Sequence, residues 1–205
     1  MSKQSIVVFD LGGVLVDWDP RYLFMKMKRP EGVTEDIEWF LGHVCTQAWN
    51  EQMDEGLPFR EGLAQLSPQF PAWRDWIEAY HARWVEMLGG EIGGTVEILN
   101  RLSARGVPLY ALSNWSAETF PIARARYDFF RHFRGIVLSG EVKLKKPDLR
   151  IYRHLLTTHG LEADRCVYID DVARNVEAAR TLGFHGHLFR DPPALARELA
   201  SLGLL

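Results

Sequence analysis

The chain of 205 residues is 47% hydrophobic and 12% aromatic, which excludes a disordered protein and leaves room for one full α/β domain with a small accessory domain. Its formal charge of −3, with Lys143, Lys145 and Lys146 as the only basic cluster, excludes the electrostatic footprint of a nucleic-acid binder or of a partner for anionic membranes. Cys45 and Cys166 stand without a CxxC partner, residues 1–9 are too short for a signal peptide, and no apolar run approaches the roughly 18 residues of a membrane span, so a cytoplasmic protein is expected.

The run Ser5-Ile6-Val7-Val8-Phe9 is continuous and β-branched, as in a strand buried on both faces of a parallel sheet. Over residues 18–88 the texture changes to helical periodicity with no clear strand. Ile37, Phe40, Leu41 and Val44 form one apolar stripe, and Trp73, Trp76, Ile77, Tyr80, Trp84 and Leu88 another. Both stripes read as packing rather than as a binding surface. Strand-like runs then resume at 107–112, 135–138, 166–169 and 186–189. Between them lie helical patterns at Val96, Leu99 and Leu102, at Ile151, Leu155 and Leu156, and at Val172, Val176, Ala179 and Leu182. Gly106, Gly160 and Gly183 sit where helix C-termini favour a left-handed residue. This alternation predicts an α/β fold with right-handed βαβ units, its core formed by residues 1–17 and 89–205 and interrupted by a helical cap over 18–88.

Four groups of polar residues follow successive strands. Asp10 precedes Gly12 and Gly13; the carboxylate can attack or bind metal while the glycines admit a bulky anion, or the three make an ordinary strand-ending turn. Ser113-Asn114 closes the next strand, where the hydroxyl and an adjacent N–H suit a phosphoryl oxygen and turn chemistry is the competing reading. Lys146, ahead of Pro147, can neutralise charge on an attacked phosphoryl group, although most lysines are simply solvated. Asp170 and Asp171 repel one another without a cation; as hard oxygen ligands they suit Mg²⁺, and Asp171 also suits a helix N-cap.

The order nucleophile, hydroxyl, lysine, acidic pair resembles the signature motifs of the haloacid dehalogenase-like superfamily. The resemblance runs through FDLGGVLVD, LSN, KKPDLRIY and YIDDVARNVEAARTLG, and the helical insertion resembles the C1-type cap of its subfamily I. It implies a Rossmann-like core with the first strand beside the fourth. Asp10 would be nucleophile and metal ligand, Ser113 and Asn114 would bind the transferring group, and Lys146 would bridge it to Asp10. Asp171 would bind Mg²⁺ directly, with Asp170 direct or through water, and Gly12 would offer a backbone carbonyl. The expected activity is hydrolysis of a small phosphate ester, a sugar phosphate among the candidates, through an aspartyl phosphate.

Gly12 departs from the pattern. Phosphatases of this family carry an Asp there as general acid and base, and glycine loses the proton donor while keeping the carbonyl. Asp17 or a residue of the cap would have to substitute. Glycine at this position occurs in bacterial sequences resembling small-molecule and sugar-phosphate phosphatases. Two other readings stay open: a 2-haloacid dehalogenase using the same Asp10, which Asp170-Asp171 counts against, and a catalytically silent binding protein. His185 and His187 read as strand-edge histidines, Trp115 as either pocket or core, and Trp49-Asn50-Glu51 as either substrate contact or packing.

Overall fold

The β-branched run predicted as the first strand forms β1 (Ile6–Phe9), every residue of it buried, in a computed structural model that describes residues 5–205. The chain continues through β2 (Val16–Trp18), β3 (Leu88–Glu91), β4 (Leu109–Ser113), β5 (Gly135–Leu138), β6 (Cys166–Asp170) and β7 (His185–Leu188). Five of these strands make one parallel sheet in the order β5-β4-β1-β6-β7. β1 is central, with β4 and β6 on either side, which places the switch in strand order beside it.

Alternation along these strands explains the continuous apolar runs. Val7, Phe9, Leu109, Ala111, Val167 and Ile169 face one hydrophobic cluster, and Ile6, Val8, Tyr110, Leu112, Cys166 and Tyr168 face the other. A strand buried on both sides has no polar face to show. The first cluster takes in Leu99, Leu195 and Leu199, and the second takes in Ile151, Tyr152, Leu155 and Ala179.

Between β2 and β3 the chain is helical: α1 (Arg21–Phe24), α2 (Ile37–His43), α3 (Gln47–Asp54), α4 (Phe59–Leu66) and α5 (Arg74–Ala82). The predicted stripes pack here, except that Trp84 also lines a cavity. Phe24 stacks on Trp76 at 4.9 Å, Phe40 meets Trp73 at 5.0 Å, and Trp49 meets Tyr80 edge-on at 5.0 Å. Asp36 and Thr46 cap α2 and α3 by accepting from the N–H of Trp39 and Trp49. Helices α6 (Gly93–Ala104), α7 (Phe120–Arg126), α8 (Ser139–Val142), α9 (Leu149–His159), α10 (Ala173–Thr181) and α11 (Pro192–Ser201) complete the chain. No helix among the described residues is long and apolar enough to cross a membrane.

The sequence pattern does not reveal one element, the antiparallel ribbon of β2 and β3. Its strands have only three and four residues, too few for a readable period. They approach closely at Gly89, where a Cβ would lie 2.2 Å from Asp17 Oδ2. The ribbon carries the chain out of the sheet region into the helical segment and back.

Candidate active site

β1, β4 and β6 run parallel with Phe9 level with both Ala111 and Ile169, so the residues that follow emerge at one edge. Asp10 therefore meets Ser113 and Asp170 without any loop having to be precise. Oδ1 of Asp10 accepts from the Leu11 N–H at 2.7 Å and from the Ser113 hydroxyl at 2.9 Å, and Lys146 Nζ lies 2.9 Å from it. Oδ2 receives none of these three. Lys146 Nζ also donates to Asp170 Oδ2 at 2.7 Å and to the Leu112 carbonyl at 3.1 Å.

The two carboxylates sharing Lys146 are not equivalent. Asp170 is fully buried and its oxygens also accept from the Tyr168 hydroxyl at 2.5 Å, the Val172 N–H at 2.8 Å and the Asn175 amide. Against the burial that would raise it, Lys146 and these donors hold the Asp170 carboxyl below its ordinary value. Asp10 has the weaker claim on the lysine. Burial pushes its carboxyl up to about 7 against the pull of Lys146, with the Asp170 charge adding to the rise. Burial would lower the Lys146 ammonium, and the Asp10 and Asp170 charges outweigh it and raise it instead.

Asp171 follows on the open side, where burial and the Asp170 charge raise its carboxyl too. One oxygen from each of Asp10, Asp170 and Asp171 lies within 4.8 Å of the others. Three carboxylates around one ammonium leave negative charge that a divalent cation would relieve, and an all-oxygen donor set fits Mg²⁺. Gly12 lines the same cavity, and a side chain added there would meet no atom within 4 Å. Gly13 is different: its φ is +72°, and a Cβ would lie 2.3 Å from Asp171 Oδ2. That close approach is what glycine permits.

The Asn114 side chain bonds within the protein. Both ends of the Asn114 side chain are taken by the backbone of Lys146: Nδ2 donates to its carbonyl at 3.1 Å, and Oδ1 accepts from its N–H at 2.8 Å. Asn114 thus splints the lysine segment to the end of β4. What it can still offer an anion is its backbone.

Asp10, Gly12, Gly13, Ser113, Lys146 and Asp171 form the floor of a cavity of about 310 Å³, with Asp170 buried behind them. Trp18, Phe59, Trp84 and Trp115 supply its aromatic walls, and Gln47, Asn50, Glu51 and Asp54 of α3 close it from the helical segment. Trp115 is therefore both pocket and core, its Nε1 donating to Thr119 Oγ1 at 3.1 Å. Asn50 and Glu51 reach the cavity, while Trp49 is buried with its indole on the Gly62 carbonyl. His185 pairs with Glu198 at 2.6 Å, and neither it nor His187 joins the carboxylate cluster. Sequence reasoning misses Asp54. The available signal is helical spacing, because Asp54 shares a face with the already marked Asn50 and Glu51 at i+4 and i+3.

Several known proteins are similar to this chain. A sesquiterpene phosphatase, astK, of Aspergillus oryzae is 28% identical over 95% of this chain and 94% of its own length. A phosphorylated carbohydrates phosphatase of Thermotoga maritima is 26% identical over 88% of this chain and 82% of its own. Among solved structures, an HAD-like hydrolase from Porphyromonas gingivalis superposes with a TM-score of 0.71 at 22% identity, covering 96% of this chain and 98% of that one. An HAD family enzyme from Bacteroides thetaiotaomicron, crystallised as its magnesium complex, does so at 0.70 and 19% identity, covering 92% and 94%. Residues 5–183 match the haloacid dehalogenase-like hydrolase family, and the chain belongs to it.

Proposed function

We propose that the chain is a Mg²⁺-dependent phosphatase that hydrolyses a small phosphate ester through an aspartyl phosphate on Asp10. The observation that carries this reading is the Asp10 carboxylate held by Ser113 and Lys146 beside Asp171 at the floor of a cavity walled by the helical segment. Asp10, the Gly12 carbonyl, Asp170 and Asp171 are the residues that would hold the metal. Bound Mg²⁺ would neutralise and orient the phosphoryl group. Lys146 and the Ser113 hydroxyl, both within hydrogen-bond reach of Asp10, would bind the phosphoryl oxygens as the carboxylate attacks. Water then releases phosphate and restores Asp10.

Residues 18–88 act in this reading as a cap that excludes water and selects the leaving group. The aromatic walls suit the apolar surface of a leaving group, whether a sugar ring face or a hydrocarbon chain. The two similar phosphatases, one named for sesquiterpenes and one for carbohydrates, define the panel to test. Turnover of sugar, prenyl and aryl phosphates should vanish in EDTA and return with Mg²⁺. Metal-free halide release from 2-chloropropionate, without phosphate release from any ester, would make the protein a dehalogenase instead.

Gly13→Ala tests the metal residues without touching a ligand atom. The added methyl would displace Asp171, and a left-handed alanine adds roughly 1–2 kcal/mol of strain. We expect the Mg²⁺ concentration for half-maximal rate to rise about tenfold or more, the range seen when ligand orientation is lost. An unchanged Mg²⁺ titration would mean that Asp171 does not bind the metal.

A further inference from the structure

An alkoxide is a poor leaving group, and Gly12 has no side chain to protonate it. Asp17 does not take over. Its Oδ2 accepts from the Tyr22 hydroxyl at 2.7 Å and packs against Gly89, and it does not line the cavity.

The cavity itself offers few proton carriers. Asp10, Asp171 and Lys146 belong to the phosphoryl and metal residues. Glu51 is engaged in ion pairs with Lys145 at 3.2 Å and Arg174 at 3.7 Å. Asp54 remains. Among the described residues it makes no ion pair; its Oδ2 accepts from the Asn50 amide at 3.0 Å, and its carboxylate also accepts from the Ser116 N–H.

Its position is fixed by the core rather than by the helical segment alone. The Asp54 carbonyl accepts from the Ser139 hydroxyl, which in turn accepts from the Trp115 N–H at 2.9 Å. Gly56, with φ of +98°, sits so close to the Gly140 carbonyl that a Cβ would lie 3.0 Å from it. Asp54 is thus pinned to the segment that directly follows Ser113, whose hydroxyl touches Asp10. In-line displacement puts the departing oxygen across phosphorus from Asp10, away from the floor and toward the α3 wall.

We propose that Asp54 is the general acid and base of this enzyme, the group that glycine at position 12 leaves unsupplied. The inference rests on the phosphatase reading above. As Asp10 forms its bond to phosphorus, the bond to the ester oxygen breaks. Its electron pair goes to that oxygen, which takes the Asp54 proton and leaves as an alcohol. Asp54, now a carboxylate, then takes a proton from the water that attacks phosphorus. The bond to Asp10 breaks with its electrons returning to Asp10, phosphate departs, and Asp54 is protonated again.

The surroundings suit the task. Burial pushes the Asp54 carboxyl up to about 7; the Ser116 N–H and Lys145 oppose that rise, and the Glu51 charge adds to it. Tyr80, whose hydroxyl donates to Asn50 Oδ1 at 3.2 Å, with Cys45 beside it, and Lys143, packed near Gly56, are further titratable groups at this corner. A catalytic acid works best with its titration near the working pH.

The test compares an alkyl phosphate, glycerol phosphate, with an aryl one, p-nitrophenyl phosphate, at saturating Mg²⁺. Asp54→Asn keeps the size and the acceptor oxygen but cannot give a proton. We expect its rate on the alkyl ester to fall about 10²-fold or more beyond its rate on the aryl ester. In the wild type the alkyl-to-aryl ratio should decline as pH rises through about 7, because the acid form of Asp54 is lost there. This second measurement needs no variant. A parallel loss on both esters, no loss on either, or a wild-type ratio that stays flat with pH would overturn the assignment. Its failure alone leaves aryl turnover by the wild type intact, whereas failure of the phosphatase reading shows as a wild type that hydrolyses neither ester.

Discussion

Asp10→Asn is expected to abolish turnover on every phosphate ester, by on the order of 10⁴-fold or more, while leaving the fold intact. An amide has no charge to drive attack on phosphorus, and the lost covalent step has no substitute within the cavity. The fold should tolerate the change because Lys146 keeps Asp170 as a counter-ion at 2.7 Å. In EDTA the variant should unfold no earlier than the wild type. Three carboxylates lie together while Lys146 pairs with only two of them, and burial has already raised Asp10, so removing its charge relieves repulsion. Steady-state rates and thermal unfolding on the same preparation check both halves. A folded variant retaining a tenth of wild-type activity would rule out the covalent mechanism.

Why Asp10 and its neighbours are legible in the sequence, and Asp54 is not, follows from where they lie. Asp10, Ser113 and Asp170 each end or follow a strand of one parallel sheet, so reading where strands stop is enough to place them at one edge. Asp54 sits on a helix whose docking depends on contacts 85 residues away, to Ser139, and on two glycines meeting backbone to backbone. No local pattern encodes that. Asn114 shows the same limit at shorter range. Its place beside Ser113 is readable, but the direction of its side chain is set by the Lys146 backbone 32 residues on. The aromatic stripes were readable as packing because their period alone requires a common face, and Trp84 and Trp115 reach the cavity only because the ribbon and the β4 segment bring them there.

Lys146→Met should separate the two things this lysine does. The side chain is 2% exposed and its ammonium touches Asp10, Asp170 and the Leu112 carbonyl. Methionine of similar length fills the space but leaves Asp170, with no exposed surface, without a cation. Removing one partner of such a buried pair costs about 3–5 kcal/mol. For a chain of this size that is a fall of roughly 10 °C in Tm, and it should be largest in EDTA. Mg²⁺ supplies positive charge to the same carboxylates, so it should recover a good part of the lost Tm, and more in the variant than in the wild type. Turnover should not recover with it. The ammonium that would meet the phosphoryl oxygens is gone, and losing one such donor costs about 10²–10³-fold in rate. If Mg²⁺ restored rate and Tm together, the lysine would be a structural counter-ion alone, and binding of the phosphoryl group would fall to Ser113 and the backbone of Asn114.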